Sequence, residues 1–173
     1  MVTTYETDYY NFNHRTSRNT DLEDYNCGGY ALGTFNWYLP ISDLSETTWR
    51  LVEDRKMSVD EIAQYYADYI LKDFEGYIRR IQDLKELKKD EQAIAFRVGE
   101  EDFHFCKRGK NGVWYHKPGR NTIRRIKRTE VFAERWVSPN SYTIYDSEII
   151  LFALKNYKNL LTNQKKYVII LIQ

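Results

Sequence analysis

The hydrophobic periodicity of the chain changes near residue 77, and this change constrains the fold more than any other feature of the sequence. Before it, residues 58–75 carry apolar side chains at helical spacing. After it, the runs 92–99, 101–109 and 112–119 are short, suited to strands, and separated by turn residues. Helices that precede strands in this way favour an α+β fold with a mostly antiparallel sheet.

The strongest helix prediction covers residues 58–75. Ser58 and Glu61 have the spacing of a capping box, in which each side chain accepts a hydrogen bond from the backbone N–H of the other. Apolar and aromatic side chains then recur at helical spacing at Ile62, Tyr65, Tyr66, Tyr69 and Ile70. This stripe is typical of a helix that faces a core, and it does not by itself indicate a functional site.

The other segments carry weaker signals. Residues 1–26 are polar and rich in turn residues, which indicates an extended lead-in. Residues 27–39 predict a short buried helix, whose two adjacent glycines cost about 1 kcal/mol each relative to alanine and so imply tight packing. Ser147–Leu154 is compatible with a helix or a strand, whereas the β-branched run Tyr167–Ile172 predicts a strand.

Composition excludes several classes of protein. Hydrophobic residues make up 42% and charged residues 29% of the chain, which is typical of a globular domain. Two cysteines and three histidines are too few for a disulfide framework or a pair of zinc fingers. The N-terminal residues do not resemble a signal peptide, and no apolar run is long enough to span a membrane. We therefore expect a cytoplasmic protein with reduced thiols and no membrane partner.

Cys27 stands where the polar lead-in meets the first predicted helix. The partial positive charge at a helix N-terminus favours a thiolate, which is the nucleophilic form of cysteine. Backbone N–H groups at the same helix end can hold an oxyanion, so the flanking residues Asn26 and Gly28 are expected to support the site. The alternative is that Cys27 is a small buried hydrophobic residue.

His104 and His116 lie on the two arms of a predicted hairpin whose turn is Lys110-Asn111-Gly112. Residues whose numbers sum to about 220 to 222 face each other across this turn, so the two histidines are near neighbours on adjacent strands. A nucleophilic cysteine needs a base, and the base needs a group that orients it. Cys27, His104 and His116 supply this set, although two structural histidines would give the same spacing.

Three short motifs resemble papain-like cysteine peptidase domains related to NlpC/P60, a family found in bacterial and phage proteins. Residues 26–32, NCGGYAL, resemble the N-C-x-x-Y-A-L opening of that family. Residues 102–105, DFHF, and 112–119, GVWYHKPG, resemble its D-[FY]-H-[FW] and G-x-W-x-H-K-P-G blocks. The resemblance implies a papain-like fold, in which a helix that carries the cysteine packs on an antiparallel sheet that carries the histidine.

The same resemblance implies roles for three residues and an activity. Cys27 would be the nucleophile, His104 the base and His116 the orienting residue of a cysteine peptidase or amidase that acts on a peptide or isopeptide bond. Acyl transfer and deamidation use the same groups. Residues 40–91 lie outside the matched motifs, and we expect them to form a helical insertion or lid-like part of a single domain spanning residues 1–173.

A metal site is a competing interpretation of the same side chains. Cys27, Cys106, His104 and His116 are of the types that bind zinc. The sequence has neither a C-x-x-C pair nor an H-x-x-x-H pair, however. We therefore expect no metal and no cofactor.

Residues 117–128 form a basic stretch, KPGRNTIRRIKR, that contains no acidic residue. Its net charge of +6, set against +1 for the whole chain, leaves −5 for the remainder. The stretch could contact phosphates or an acidic protein surface, or it could be a solvated loop or an edge strand protected by charge. Its candidate partner-binding residues are Lys117, Arg120, Arg124, Arg125, Lys127 and Arg128.

The basic stretch supports a second functional hypothesis. A phage or mobile element could use a peptidase-like scaffold without catalysis, as a binding protein that blocks a host protein or a nucleic-acid complex. On this hypothesis the basic residues carry the function and Cys27 does not. The partner of the enzyme hypothesis is instead a peptide or protein substrate.

Overall fold

Four α-helices and eight strands occur within residues 25–34, 36–138 and 141–155, which the computed structural model describes. The helices are α1 (Cys27–Leu32), α2 (Thr48–Glu53), α3 (Val59–Asp73) and α4 (Arg128–Val131). Two 3-10 turns cover Leu44–Glu46 and Leu84–Glu86. The strands are β1 (Ile78–Ile81), β2 (Glu91–Val98), β3 (Phe103–Arg108), β4 (Trp114–His116), β5 (Arg124–Ile126), β6 (Trp136–Val137), β7 (Ile144–Tyr145) and β8 (Ile150–Lys155).

The long helix α3 confirms the prediction made from its cap and its apolar stripe. Ser58 Oγ accepts a hydrogen bond from the Glu61 N–H at 3.3 Å, and Glu61 Oε2 accepts one from the Ser58 N–H at 2.8 Å. These bonds satisfy backbone groups that the first turn would otherwise leave unpaired. Ile62, Tyr66 and Ile70 from the stripe are fully buried.

The main sheet has the strand order β1-β8-β2-β3-β4-β5, and each neighbouring pair is antiparallel. Strands β6 and β7 form a separate two-stranded antiparallel ribbon. The predicted α+β class with a mostly antiparallel sheet is therefore confirmed. Ser147–Leu154, which the sequence left open between helix and strand, contributes most of strand β8.

The hairpin of β3 and β4 has the predicted turn. Gly112 adopts a φ of 78°, a left-handed conformation that glycine reaches without a steric penalty, and the Gly109 N–H donates to the Val113 carbonyl at 2.7 Å. The observed register pairs Cys106 with His116, so opposed residue numbers sum to 222. His104 therefore lies diagonal to His116 rather than directly opposite it.

The two faces of the sheet carry separate apolar clusters. On one face, α1 and α3 pack on the aromatic side chains of the strands, and Phe96 and Phe105 are 4.6 Å apart between ring centroids. On the other face, Cys106 and Trp114 pack with residues of α4 and of the β6–β7 ribbon. Burial of each large apolar side chain contributes about 1.5–3 kcal/mol.

The segment 40–91, expected as a helical insertion or lid-like part, contains helices α2 and α3 and contributes to the folded core. Helix α3 lies within this segment and buries its apolar stripe against the sheet. Residues Ile78–Ile81 form β1, which pairs with β8 in the main sheet. The apolar face of α3 would be costly to expose, so tertiary packing takes this segment into the body of the protein.

Two predictions lie outside the described residues. The extended lead-in concerns residues 1–26, of which the structure describes the last two, and the predicted strand Tyr167–Ile172 falls beyond residue 155. Among the residues that are described, no helix has the length and apolar character required to cross a membrane.

Candidate active site

A cleft forms where strand β4 stops short of the full length of β3. The β2–β3 ladder extends to Phe103, whereas the β3–β4 ladder ends at Cys106 and His116. The first three residues of β3 therefore have one edge that no described strand covers. Cys27 at the start of α1 reaches this edge, because the backbone N–H of Phe105 donates a hydrogen bond to its sulfur.

Asn26 and the glycines of α1 hold Cys27 at this edge. The Asn26 side chain accepts hydrogen bonds from the N–H groups of Gly29 and Tyr38, both at 3.0 Å, and donates one to the Tyr38 carbonyl at 2.7 Å. A Cβ atom at Gly29 would lie 1.9 Å from the carbonyl oxygen of Asn36. This close approach explains why a glycine is needed at position 29, as the Gly-Gly pair implied. Asn26 caps helix α1 and also clamps the backbone of Tyr38 to the start of that helix.

Burial controls the protonation of the Cys27 thiol. The side chain is 5% exposed, and burial raises its pKa to about 12, with a further contribution from the negative charge of Asp102. Hydrogen bonds from the N–H groups of Phe105 and Gly28, and the charge of Lys117, act in the opposite direction but do not cancel this effect. Burial thus opposes the thiolate that was expected at a helix N-terminus, since α1 has six residues and its dipole is small.

His104 and His116 form a neutral hydrogen-bonded pair. Nε2 of His104 lies 2.9 Å from Nδ1 of His116, and the two rings are perpendicular at 89°. Burial lowers the pKa of His104 to about 3, with an added contribution from His116, and burial followed by the charge of Arg124 lowers that of His116 to about 4. The predicted proximity of the two histidines is confirmed, and one ring must donate while the other accepts.

Two aromatic residues that the sequence analysis missed enclose His104. The Tyr145 ring lies 5.4 Å from the His104 ring at 32°, and the Trp136 ring lies 6.1 Å away at 89°. Both residues belong to the β6–β7 ribbon, which is far from His104 in sequence. A Trp and a Tyr in short runs without clear alternation carry no signal that would assign them to a site.

The cleft has a volume of about 640 Å³ and brings Cys27, His104 and His116 together. Asn26, Asp102 and Cys106 also line it, as do Trp136 and Tyr145. Among the described residues, no three His, Cys, Asp or Glu side chains are arranged to hold a metal ion. The arrangement thus places a thiol beside paired imidazoles in a partly apolar site.

Residues 15–142 match the model of a protein family described as a domain of unknown function, DUF7689. The chain belongs to the DUF7689 family. No curated protein and no solved structure matches the chain. The match includes Cys27, His104 and His116 and ends three residues before Tyr145.

The basic stretch of this DUF7689 protein has one of its six basic residues inside the fold. Lys117 is fully buried: its Nζ donates to the Gly119 carbonyl at 2.5 Å and lies 4.8 Å from the centroid of the Tyr25 ring. Lys117 therefore cannot belong to a partner-binding surface as expected, because its aliphatic stem and ammonium group are used inside the fold.

The other candidate basic residues do lie at the surface. Among the described strands, β5 lies at the edge of the sheet, with Arg125 exposed and Arg124 half-buried. Arg120, Lys127 and Arg128 are exposed in the flanking residues. Arg125 also lines the cleft, so the basic stretch adjoins the site that holds Cys27.

Proposed function

We propose that this cleft is the active site of a cysteine-dependent hydrolase of the peptidase or amidase type, built on a papain-like domain. The observation that carries the proposal is that Cys27 shares the cleft with the hydrogen-bonded pair of His104 and His116. A thiol, a base and a group that orients the base are the parts that nucleophilic cysteine catalysis requires. The motif resemblance to NlpC/P60-related peptidases assigns the same three roles.

In the proposed reaction, the Cys27 sulfur attacks the carbonyl carbon of a peptide or isopeptide bond while Nδ1 of His104 takes the thiol proton. The hydrogen on Nε2 of His104 stays there and makes a hydrogen bond to Nδ1 of His116. This bond fixes the tautomer of His104. His104 returns the proton to the leaving amine, the C–N bond breaks, and the acyl group remains on sulfur. Water then releases the acid, whereas another nucleophile would give acyl transfer, and a primary amide would give deamidation.

The neutral resting state favours proton transfer during the attack rather than before it. The raised pKa of Cys27 keeps its proton on sulfur, and the lowered pKa of His104 keeps its ring neutral. Transfer of the proton from sulfur to nitrogen is therefore uphill until negative charge develops on the carbonyl oxygen of the substrate. A positioned base of this kind contributes about 10²- to 10⁴-fold to the rate.

The rim of the cleft suits a polypeptide substrate. Trp37 and Val137 line the cleft and are 48% and 52% exposed, so they offer apolar surface to a bound polypeptide. Cys27 and Cys106 are free thiols. This state fits the cytoplasm, where thiols stay reduced, and we include that location in the proposal.

The test is acylation of the protein by p-nitrophenyl acetate. The rate is measured from the release of p-nitrophenol, and mass spectrometry of the Cys27 peptide identifies the acylated residue. We expect Cys27→Ala to abolish acylation at this site and His104→Ala to slow it by about 10²-fold or more. Cys106→Ser is the matched control and should leave the rate unchanged. A wild-type protein that acylates no faster than Cys27→Ala, with both folded by circular dichroism, would overturn the proposal.

The exposed basic edge favours a second candidate function, in which a phage or mobile-element protein binds and blocks a host factor. Arg125 is exposed on edge strand β5, and Lys127 and Arg128 follow it at the surface. Clustered positive charge of this kind attracts phosphates or acidic protein surfaces. On this candidate the Cys27 cleft is not required for activity.

Labelled duplex DNA and a labelled polyglutamate peptide would probe the two kinds of acidic partner by fluorescence anisotropy. The double variant Arg124→Glu with Arg125→Glu should lose binding, and Cys27→Ala should retain it. Glu53→Lys, a charge change on an exposed residue of α2, serves as a control. If neither probe binds, or if the double reversal leaves binding unchanged, the basic edge is not a docking site for a polyanion.

A further inference from the structure

Tyr145 presents a hydroxyl group that no contact within the described fold uses. The residue is 6% exposed and lines the cleft beside Cys27 and His104. Its hydroxyl makes no hydrogen bond within the described part of the chain, and yet it is not among the fully enclosed, unpartnered side-chain atoms. This hydroxyl is therefore available to a molecule that enters the cleft.

The backbone on both sides of Tyr145 is held in place. A Cβ atom at Gly99 would lie 1.8 Å from the carbonyl oxygen of Ile144, so strand β7 approaches β2 at a point where only glycine fits. Two residues later, the Ser147 N–H donates to the Val98 carbonyl at 3.0 Å, and Ser147 Oγ accepts from the Val98 N–H at 2.9 Å. The backbone that carries Tyr145 is therefore fixed at both flanking residues.

The cleft needs a donor of this kind if Cys27 attacks a carbonyl. The carbonyl oxygen becomes negatively charged in the tetrahedral adduct and must be met by hydrogen-bond donors. Helix α1 has six residues, and its Gly29 N–H is already bonded to the Asn26 side chain. Asp102 lines the same cleft, but a carboxylate can only accept, and it would repel the developing charge.

We propose that the Tyr145 hydroxyl donates a hydrogen bond to the oxyanion formed when Cys27 adds to a carbonyl group. This inference rests on the proposed function and adds a catalytic residue to it. The ring of Tyr145 lies 5.4 Å from that of His104, so the hydroxyl and the base belong to one wall of the cleft. Burial and the nearby Asp102 raise the pKa of Tyr145, and the phenol therefore keeps its proton at neutral pH.

The experiment compares two reactions of the same thiol. Acylation of Cys27 by p-nitrophenyl acetate passes through a tetrahedral oxyanion, whereas alkylation by iodoacetamide displaces iodide and forms no oxyanion. Tyr145→Phe keeps the ring that packs on His104 and removes only the hydroxyl. We expect this variant to slow acylation by about 10²-fold, as loss of an oxyanion donor does elsewhere, while alkylation stays at the wild-type rate. Tyr142→Phe, on an 81% exposed residue in the connection between β6 and β7, is the matched control.

Each other outcome points to a different failure. If Tyr145→Phe slows both reactions equally, Tyr145 positions the thiol and the base, and it is not an oxyanion donor. If neither rate changes, the hydroxyl has no part in the reaction, although the Cys27 proposal stands. If wild-type Cys27 does not acylate, the proposed function and this inference fail together.

Discussion

At the scale of single residues, the chemistry of the cleft is set by what burial does to Cys27, His104 and His116. Each of the three has a pKa displaced towards its neutral form, with burial as the largest cause. A neutral thiol beside a neutral imidazole is less reactive at rest than an ion pair. For the proposed hydrolase, proton transfer would therefore have to accompany attack on the substrate.

The lowered histidine pKa values predict a loss of stability in acid. A histidine whose pKa is lower in the folded than in the unfolded chain stabilises the fold above about pH 6.5. That stability is lost as the pH falls from there towards the folded values of about 3 and 4. For His104 alone the loss at pH 5 is about 2 kcal/mol.

Urea unfolding at pH 7 and pH 5 measures this loss, and NMR of the imidazole resonances checks its cause. The signals that disappear in His104→Gln and His116→Gln should not titrate between pH 7.5 and 5. If both signals titrate near pH 6.5, the two imidazole rings are exposed to water in solution. The description of His104 and His116 as a neutral buried pair would then be wrong.

At the scale of elements, the short helix α1 is held by contacts rather than by its own propensity. Two of its six residues are glycine, and its dipole is small. The Asn26 clamp and the contact of Gly29 with the backbone of Asn36 hold it against residues 36–38. The position of Cys27 therefore depends on residues 36–38 as much as on helix α1.

Gly29→Ala should reverse the usual sign of a glycine-to-alanine change in a helix. Alanine normally adds about 1 kcal/mol of stability, but here its Cβ would meet a backbone oxygen at 1.9 Å. We expect a net loss of about 1–3 kcal/mol, as for other overpacked sites, measured by urea unfolding. Gly28→Ala is the comparison, since its Cβ meets the Tyr38 ring at 2.9 Å and the Tyr38 backbone oxygen at 3.3 Å, which is a milder overlap than that at Gly29. Equal effects of the two variants would contradict the clamp.

At the scale of the whole molecule, one buried carboxylate joins the segment before α2 to the long helix α3. Glu46 is 7% exposed and accepts hydrogen bonds from the Ser42 N–H at 2.7 Å and from the Tyr65 hydroxyl at 2.8 Å. Burial alone would raise its pKa, but the donors of Ser42 and Tyr65 outweigh that effect and lower it. The segment is thereby fixed to the same helix that packs on the sheet.

Glu46→Gln should destabilise the protein by about 1–3 kcal/mol at pH 7, because an amide replaces an acceptor that several donors share. A carboxylate with a lowered pKa stabilises the fold above its unfolded value of about 4.5, and this contribution is lost as the pH falls. The difference in stability between the variant and the wild type should therefore become smaller as the pH falls. Thermal unfolding at several pH values measures this difference. Glu53→Gln, an exposed residue of α2, should show no such gap at any pH.

The elements that could be predicted are those whose signals are local. The capping box of Ser58 and Glu61 needs residues three apart, and the turn at Gly112 needs residues next to each other. The proximity of His104 and His116 follows from counting along one hairpin. The place of residues 40–91 in the fold could not be predicted in this way. The contacts that hold α3 on the sheet join residues that are remote in sequence.

The sequence by itself determined the α+β class, the long capped helix, the β3–β4 hairpin and the pair of histidines upon it. Periodicity, caps and turns act over a few residues, and so their information is contained in the local sequence. Only the tertiary structure decided that Lys117 is buried, that burial raises the pKa of Cys27, and that the Tyr145 ring packs on His104. These features depend on which surfaces exclude water and which strands meet, and both are set by contacts between residues distant in the chain.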